Sequence, residues 1–104
     1  MDAINPQHYR QGPIECIELI RNLPFSQGAA IKYLWRLGMK DDIDQELDKA
    51  RWFINDCIDN DLYGTPDELL ALVKDDDERW LAIRLVAMGK YERALGVLDA
   101  ISRG

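Results

Sequence analysis

The chain has 104 residues, 47% of them hydrophobic, and a formal net charge of −6. This length accommodates one domain with a buried core, and the acidic balance argues against general nucleic-acid binding. Two cysteines without a C-x-x-C spacing argue against a thiolate zinc site. No apolar run reaches the roughly 18 residues that a membrane span needs, and the amino terminus lacks the apolar region of a signal peptide. We therefore expect a cytoplasmic protein with reduced thiols and no membrane partner.

Turn and capping residues delimit two helices in the first third of the chain. Residues 13–23 predict a first helix that begins at Pro13, because a proline fits the first helical turn. Ser26 is the expected N-cap of a second helix over residues 27–37. Gly38 ends that helix in the position that glycine favours.

The third helix is the most strongly patterned segment. It is expected over residues 42–61, with Asp41 or Asp42 as its N-cap. Apolar residues recur at steps of three or four, which is the spacing of one helix face: Ile43, Leu47, Ala50, Ile54 and Ile58. Three further apolar residues widen this face and predict burial on two sides: Trp52, Phe53 and Cys57.

Three shorter helices are expected in the rest of the chain. Thr65 and Pro66 begin a fourth over residues 67–74, and the fifth and sixth span residues 75–89 and 90–102. No alternation of period two predicts a strand, so the expected fold is an all-α bundle of about five to six helices without a sheet. We expect residues 1–63 to form the main unit and residues 64–104 a helical extension that packs on it or forms an interface.

The second helix carries the residues best suited to hold an anion. Lys32 and Arg36 are four residues apart and share one face, Tyr33 is adjacent, and Lys40 follows the helix. Cations beside an aromatic ring predict a nucleotide site, because the cations bind phosphates and the ring stacks on a base. His8 is a further candidate contact to phosphate. The alternative is that Lys32 and Arg36 are solvated or pair with acids of the third helix.

Paired carboxylates on two helices predict a weaker site for Mg²⁺. Glu15 and Glu18 are three residues apart on the first helix, and Glu46 and Asp48 lie on the third. Carboxylate oxygens are the ligands that Mg²⁺ prefers, usually together with phosphates. The alternative is two ordinary surface ion pairs, Glu46–Lys49 and Asp48–Arg51.

Charge is distributed unevenly along the chain. Residues 8–40 hold five cations and two acids, whereas residues 41–78 hold fourteen acids and three cations. Such asymmetry favours a small anion near the basic part, or a protein partner on the acidic part. The run Asp75, Asp76 and Asp77 is the candidate partner-binding segment, for example for a host protein. The number of aromatic residues also predicts a homodimer.

The blocks "NPQHY", "IECIELI", "GAAIKYLWRLGMK" and "ELDKARWFI" resemble, in order and spacing, a small phage domain of unknown function, DUF3310 (SaV-like). The resemblance covers residues 5–55 and implies a phage or prophage origin. It also implies a link to nucleotide metabolism, because a phage nucleoside monophosphate kinase carries this domain. Positions of the family pattern are occupied here by Asn5, His8, Tyr9, Glu15, Lys32, Tyr33, Trp35, Arg36, Glu46, Leu47, Lys49, Ala50 and Trp52.

The sequence departs from the family pattern at two places. The asparagine that usually precedes the A-x-K-Y segment is replaced by Gly28 or Ala29, and the E-D-L block lacks its aspartate. The predicted function is nucleotide binding in a phage-infected cell, with activity like that of a nucleoside monophosphate kinase. The alternative is a non-catalytic acidic accessory protein that binds a host or defence-system protein.

Overall fold

The computed structural model describes residues 14–39, 42–64, 68–73 and 77–103. In these residues the chain forms α1 (Cys16–Ile20), α2 (Phe25–Trp35), α3 (Ile43–Asp59), a 3₁₀ helix (Glu68–Leu72), α4 (Glu78–Ala87) and α5 (Tyr91–Arg103). The four described ranges contain no strand, and the predicted all-α bundle is confirmed. None of the described helices is long and apolar enough to cross a membrane.

Helix α1 is a short element that begins two residues after the start of the described chain. Glu15 is its N-cap, and Glu15 and Glu18 form a reciprocal capping box in which the Glu15 backbone N–H donates to Glu18 Oε1 at 2.7 Å. Such a box satisfies two of the N–H groups that a helix start leaves without a partner. The helix spans Cys16–Ile20, so the predicted first helix is too long at both ends, and Pro13, its predicted start, lies outside the described residues.

Helix α2 begins earlier than predicted. Pro24 is its N-cap, and the Gly28 N–H donates to the Pro24 carbonyl at 3.0 Å. Ser26, the predicted cap, lies inside the first turn, and its hydroxyl donates to Asp56 Oδ2 of α3 at 2.5 Å. Ser26 therefore bonds to a residue thirty positions away instead of capping its own helix. Local sequence patterns do not predict such a long-range contact.

Helix α2 lies in the centre of the bundle. It contacts α1, α3 and α4, and most of its residues are buried, as expected for a helix that is apolar on nearly all sides. Its Trp35 ring packs edge-to-face on Trp80 of α4, with centroids 4.9 Å apart and an interplanar angle of 86°. Residues before and after position 64 therefore share one hydrophobic core.

Helix α3 follows its predicted cap and the middle of its predicted stripe, whereas Ile43 is 47% exposed and Ile58 is half-buried. Asp42 is the N-cap, and its carboxylate accepts from the backbone N–H groups of Asp44 and Gln45. The inward face is completely buried at Leu47, Ala50, Ile54 and Cys57. The predicted burial on two sides is wrong for Trp52, whose surface is 64% exposed.

The carboxyl-terminal third departs from prediction in one element. The predicted fourth α-helix is a 3₁₀ helix where it is described, from Glu68 to Leu72, and Thr65 and Pro66 lie outside the described residues. Helices α4 and α5 form a hairpin whose turn contains Gly89 at φ +75°, a left-handed conformation that favours glycine. The predicted end of the fifth helix at Gly89 is therefore correct to within two residues.

Both cysteines are free thiols inside the core. Burial raises the pKa of the Cys16 thiol from its ordinary value of 9.0 to about 12, and nearby Lys32 lowers it by a smaller amount. Burial also raises the pKa of the Cys57 thiol, against a smaller lowering by a hydrogen bond from Tyr91. Since thiolate is the reactive form, both residues are held in their inert state.

We expect neither thiol to react with Ellman's reagent at pH 8 in the native protein, and both to react after denaturation. An exposed thiol introduced by Ser102→Cys should react at once and serves as the positive control. Because the folded pKa of Cys16 lies above its unfolded value, its contribution to stability is complete below about pH 9 and is lost as the pH rises further. Fast reaction of two native thiols would contradict the burial of both.

Candidate functional site

A groove of about 390 Å³ lies between α1 and α2 and is bounded on one side by α3. Its walls are apolar, with Ile17 and Ile20 from α1, Phe25 and Tyr33 from α2, and Phe53 from α3. Two exposed cations also line it, Arg21 and Lys32. This volume is at the lower end of the range that small-molecule sites occupy, roughly 300–1,000 Å³.

The α1 side of the groove depends on a close approach of two helices. Gly28 faces Ile20, and a Cβ added at Gly28 would lie 3.3 Å from Ile20 Cβ. Even an alanine would therefore push α1 away from α2 by a few tenths of an ångström.

Three cations surround the ring of Tyr33. Lys32 Nζ lies 5.8 Å from the ring centroid, Arg36 Cζ 4.8 Å and Lys49 Nζ 5.4 Å. Cations at such distances are attracted to the face of an aromatic ring. The predicted grouping of Lys32, Tyr33 and Arg36 is present in the structure, and α3 adds Lys49, for which the sequence predicts only a surface pair.

Arg36 does not line the groove but pairs with an acid of the third helix, which is the alternative that its spacing left open, and its role in holding phosphate stays a prediction. Its Nε lies 2.5 Å from Glu46 Oε2 and its Nη2 3.2 Å from Glu46 Oε1, and Glu46 is completely buried. Lys49 Nζ lies 3.7 Å from the same carboxylate. The pair joins the carboxyl end of α2 to the first turn of α3, where a carboxylate is favoured by the helix dipole.

Lys32 has a different environment from Arg36. Its side chain is exposed at the groove, and within the residues that the structure describes it makes no ion pair. Lys32 therefore adds an exposed positive charge beside Tyr33, on a chain that is acidic overall.

An exposed aromatic surface continues from the groove onto α3. It consists of Phe25, Tyr33, Trp52 and Phe53, and two of its members are largely exposed, Phe25 at 80% and Trp52 at 64%. Phe53 stacks on Tyr33 at 5.8 Å and 13°, and both Phe25 and Trp52 meet it edge-on, at 5.9 Å and 5.1 Å between centroids. Large aromatic side chains that are exposed together indicate a binding surface, whereas single scattered ones are ordinary.

The sequence contained a signal for part of this surface that the pattern analysis missed. At 100° per residue, Trp52 lies about 160° around α3 from Ile54 and on the side opposite to the buried stripe. The helical wheel alone thus places Trp52 outward, next to Lys49 at the i+3 spacing. Phe25 gave no such signal, because it stands in the first turn of α2, before any periodicity is established.

The four carboxylates proposed for Mg²⁺ do not form one site. Glu15 and Glu18 form the capping box of α1, Glu46 faces Arg36, and Asp48 pairs with Arg51 at 2.8 Å. Among the described residues, no three side chains of His, Cys, Asp or Glu lie together in a way that could hold a metal ion. The expected pairs Asp48–Arg51 and Glu46–Lys49 are both present, although Glu46 is buried rather than on the surface.

Several predicted site residues lie outside the described part of the chain: His8, Lys40, Asp75 and Asp76. Asp77 is described, and its carboxylate caps α4 by accepting from the Trp80 N–H at 3.1 Å. It also lies 3.9 Å from Arg79 Nη2 and remains half exposed. Its local role is thus in helix capping, and its predicted role in partner binding stays a prediction.

Comparison with known families places the groove inside a matched segment. The profile of the family described as a protein of unknown function (DUF3310) matches residues 4–55. This segment includes α1, α2 and most of α3, and with them the residues around Tyr33. No curated protein and no solved structure matches the chain.

Proposed function

Because the chain belongs to the DUF3310 family through residues 4–55, we propose a function for the surface that this segment forms: the binding of a nucleotide in the cytoplasm of a phage-infected bacterium. The observation that carries the proposal is the apolar groove with Lys32 and Arg21 beside it and Tyr33 within it. A nucleotide matches this arrangement because it joins a flat, largely apolar base to a charged phosphate.

The phosphate is held by Lys32 and Arg21 in this proposal. Both side chains are exposed and line the same groove, so they reach an anion there without first leaving another ion pair among the described residues. A phosphate that contacts two cations gains charge-assisted hydrogen bonds, which are stronger than neutral ones. Arg36 supports the site indirectly, because its pair with Glu46 fixes the end of α2 that carries Tyr33.

The base occupies the apolar part of the groove. Phe25, Tyr33 and Phe53 offer ring faces and edges there, and Ile17 and Ile20 form the opposite wall. Base–aromatic contacts are tolerant of base identity, since every base has a π face. The groove therefore supports recognition of nucleotides as a class, and a preference among bases is to be found by titration.

Transfer of a phosphoryl group, as in a nucleoside monophosphate kinase, is a more specific version of this proposal. In the described residues no carboxylate lines the groove and no group of three could hold a metal ion. The described residues do not form a Mg²⁺ site, and we derive no step through that ion. Binding is therefore the part of the function that these contacts support.

We expect calorimetric titration with nucleoside mono-, di- and triphosphates to give dissociation constants below 1 mM for at least one of them. Lys32→Ala should weaken that binding about tenfold, which corresponds to about 1.4 kcal/mol, without lowering the melting temperature, since the side chain is exposed. Lys90→Ala, which removes an exposed lysine from a different pocket, is the matched control and should change neither.

The absence of binding below millimolar concentrations across the panel would remove the proposal. Equal losses for Lys32→Ala and Lys90→Ala would show that the attraction is non-specific rather than located in the groove.

A second candidate function is docking to a basic host protein. The carboxylates of Asp44, Asp59 and Asp61 are on exposed residues of α3 and the turn after it, on a chain with net charge −6. A net charge of one sign accelerates the encounter with an oppositely charged partner. Capture of a host protein that is unaffected by Lys32→Ala would favour this candidate over nucleotide binding.

A further inference from the structure

Phe25 differs from the other rings of the groove in how much of its surface is open to solvent. It is 80% exposed, whereas Tyr33 and Phe53 are only partly exposed and stack on each other at 5.8 Å and 13°. Phe25 meets Phe53 edge-on, at 5.9 Å between the centroids and 75° between the planes. Among the described residues that line the groove, Phe25 is therefore the ring with the largest open surface.

The ring of Tyr33 is already in contact with other groups of the protein. Phe53 lies nearly parallel to it, and Arg36 Cζ lies 4.8 Å from its centroid. A guanidinium does not fit between two near-parallel rings 5.8 Å apart, because two layers of van der Waals contact need about 7 Å. Phe53 and Arg36 thus cover different parts of the Tyr33 ring, and a base in the groove meets mainly its edge.

Phe25 and Lys32 lie on one line along α2. They are seven residues apart, which is two helical turns and about 10 Å along the axis. Between them on this face are Gly28 and Ala29, which also line the groove and have no large side chain. Because Cα–Cβ bonds tilt towards the amino terminus of a helix, the Lys32 side chain starts in the direction of Phe25. An open path on α2 therefore joins an exposed ring to an exposed cation.

The two ends of this path differ in their chemistry. Around Phe25 the lining is apolar, with Leu23 and Pro24 before it in the chain and Phe53 at its side. At the other end the lining contains the exposed cation Lys32. A nucleotide has the same polarity, since it carries a flat base at one end and a phosphate at the other.

We propose that the base of the nucleotide stacks on Phe25 and that the ligand lies along α2 with its phosphate at Lys32. The inference rests on the proposed nucleotide site, to which it assigns a stacking residue and a direction. Apart from Tyr33 and the two cations, the described side chains of the lining are apolar. Recognition therefore depends on the face of the base more than on hydrogen bonds to its edge. A purine, which has the larger face, should bind more tightly than a pyrimidine.

The test compares adenosine and cytidine phosphates, as mono- and triphosphates, by calorimetry on the full chain. Phe25→Ala should weaken binding of the adenosine compound about tenfold and remove most of its advantage over the cytidine compound. Phe25→Trp should keep or raise the affinity, because a larger ring still stacks. Since Phe25 is 80% exposed, neither substitution should lower the melting temperature.

Lys32→Ala tests the direction of the ligand. It should weaken the adenosine and cytidine compounds by the same factor, because the phosphate is identical in both. The ratio of the two affinities should therefore stay at its original value in Lys32→Ala and fall towards one in Phe25→Ala. A general loosening of the groove would not separate the two variants in this way.

Fluorescence locates the base independently. In the double variant Phe25→Trp with Trp52→Phe, the introduced indole is the only exposed one, since Trp35 and Trp80 are 1% exposed. Adenosine monophosphate should quench the emission of this variant and change that of Trp52→Phe alone much less. Tyr63→Ala removes another exposed ring, one that lines a separate pocket, and should leave the affinity unchanged.

The results that overturn the inference differ from those that overturn the proposed function. If Lys32→Ala weakens binding and Phe25→Ala does not, the nucleotide site stands, but Phe25 is not its stacking residue. If Trp52→Ala instead removes the preference for the purine, the base lies on the outer side of α3. If none of the adenosine and cytidine phosphates binds, and no other nucleotide does, the proposed function fails and the inference fails with it.

Discussion

Replacing Arg36 with alanine is expected to lower the free energy of unfolding by about 3–5 kcal/mol, one of the two largest effects of a single substitution that we predict. The substitution leaves the Glu46 carboxylate, which is completely buried, without the guanidinium that faces it at 2.5 Å and 3.2 Å. Lys49, whose Nζ is 3.7 Å from Glu46, offsets part of this loss. Urea denaturation followed by far-ultraviolet circular dichroism measures the change.

A second arginine of the same region provides the matched control. Arg51 pairs with Asp48 at 2.8 Å, but that carboxylate is 76% exposed, so Arg51→Ala should cost no more than about 1 kcal/mol. The double substitution Arg36→Met with Glu46→Leu should recover most of the stability, because no charge is then left buried. A loss of nucleotide binding in Arg36→Ala at unchanged stability would instead make Arg36 a ligand-binding residue.

The helices that sequence predicted well are those whose signals are local. The Asp42 cap and the stripe from Leu47 to Cys57 lie within one segment, and both are present in the structure. Gly38 has φ +80° in the turn after α2, as predicted for the helix end, although the helix itself ends at Trp35, two residues earlier than predicted. By contrast, the start of α2 was misplaced, because the Ser26 hydroxyl bonds to Asp56 of another helix.

The same distinction explains the outcome for the site. Spacing placed Lys32 and Arg36 on one face of α2, and the structure places both beside Tyr33. Spacing could not decide which of the two faces solvent, because that depends on Glu46, ten residues later and across a turn. Whether an ion pair is buried depends on how two helices pack, so it cannot be predicted from the sequence of either helix alone.

Trp52 shows a different kind of error. Its apolar character favours the core, whereas its angular position on the helical wheel of α3 points it outward, and the structure agrees with the angular position. A large aromatic residue on the polar side of an amphipathic helix indicates a binding surface, because its ring is exposed there and does not contribute to the core. Read in that way, the sequence would have identified one member of the exposed aromatic surface.

Gln27→Leu is the second substitution with a large expected effect, a loss of about 1–3 kcal/mol. Gln27 is completely buried, and its Nε2 donates to the Val86 carbonyl at 3.0 Å and to the Gly64 carbonyl at 3.3 Å. Its Oε1 accepts from the Gly64 N–H at 2.6 Å. Leucine has a similar volume but no polar atoms, so it leaves these backbone groups without their partner while the packing is nearly kept.

Hydrogen exchange can test this account at a single amide. The Gly64 N–H should exchange slowly in the original protein and much faster in Gln27→Leu, whereas amides in the middle of α3 should change only with global stability. Gln45→Leu replaces an exposed glutamine of α3 and should alter stability by less than about 0.5 kcal/mol. Slow exchange at Gly64 in both variants would mean that the contact between α2 and the end of α4 is maintained by packing, and that the hydrogen bonds of Gln27 contribute little to it.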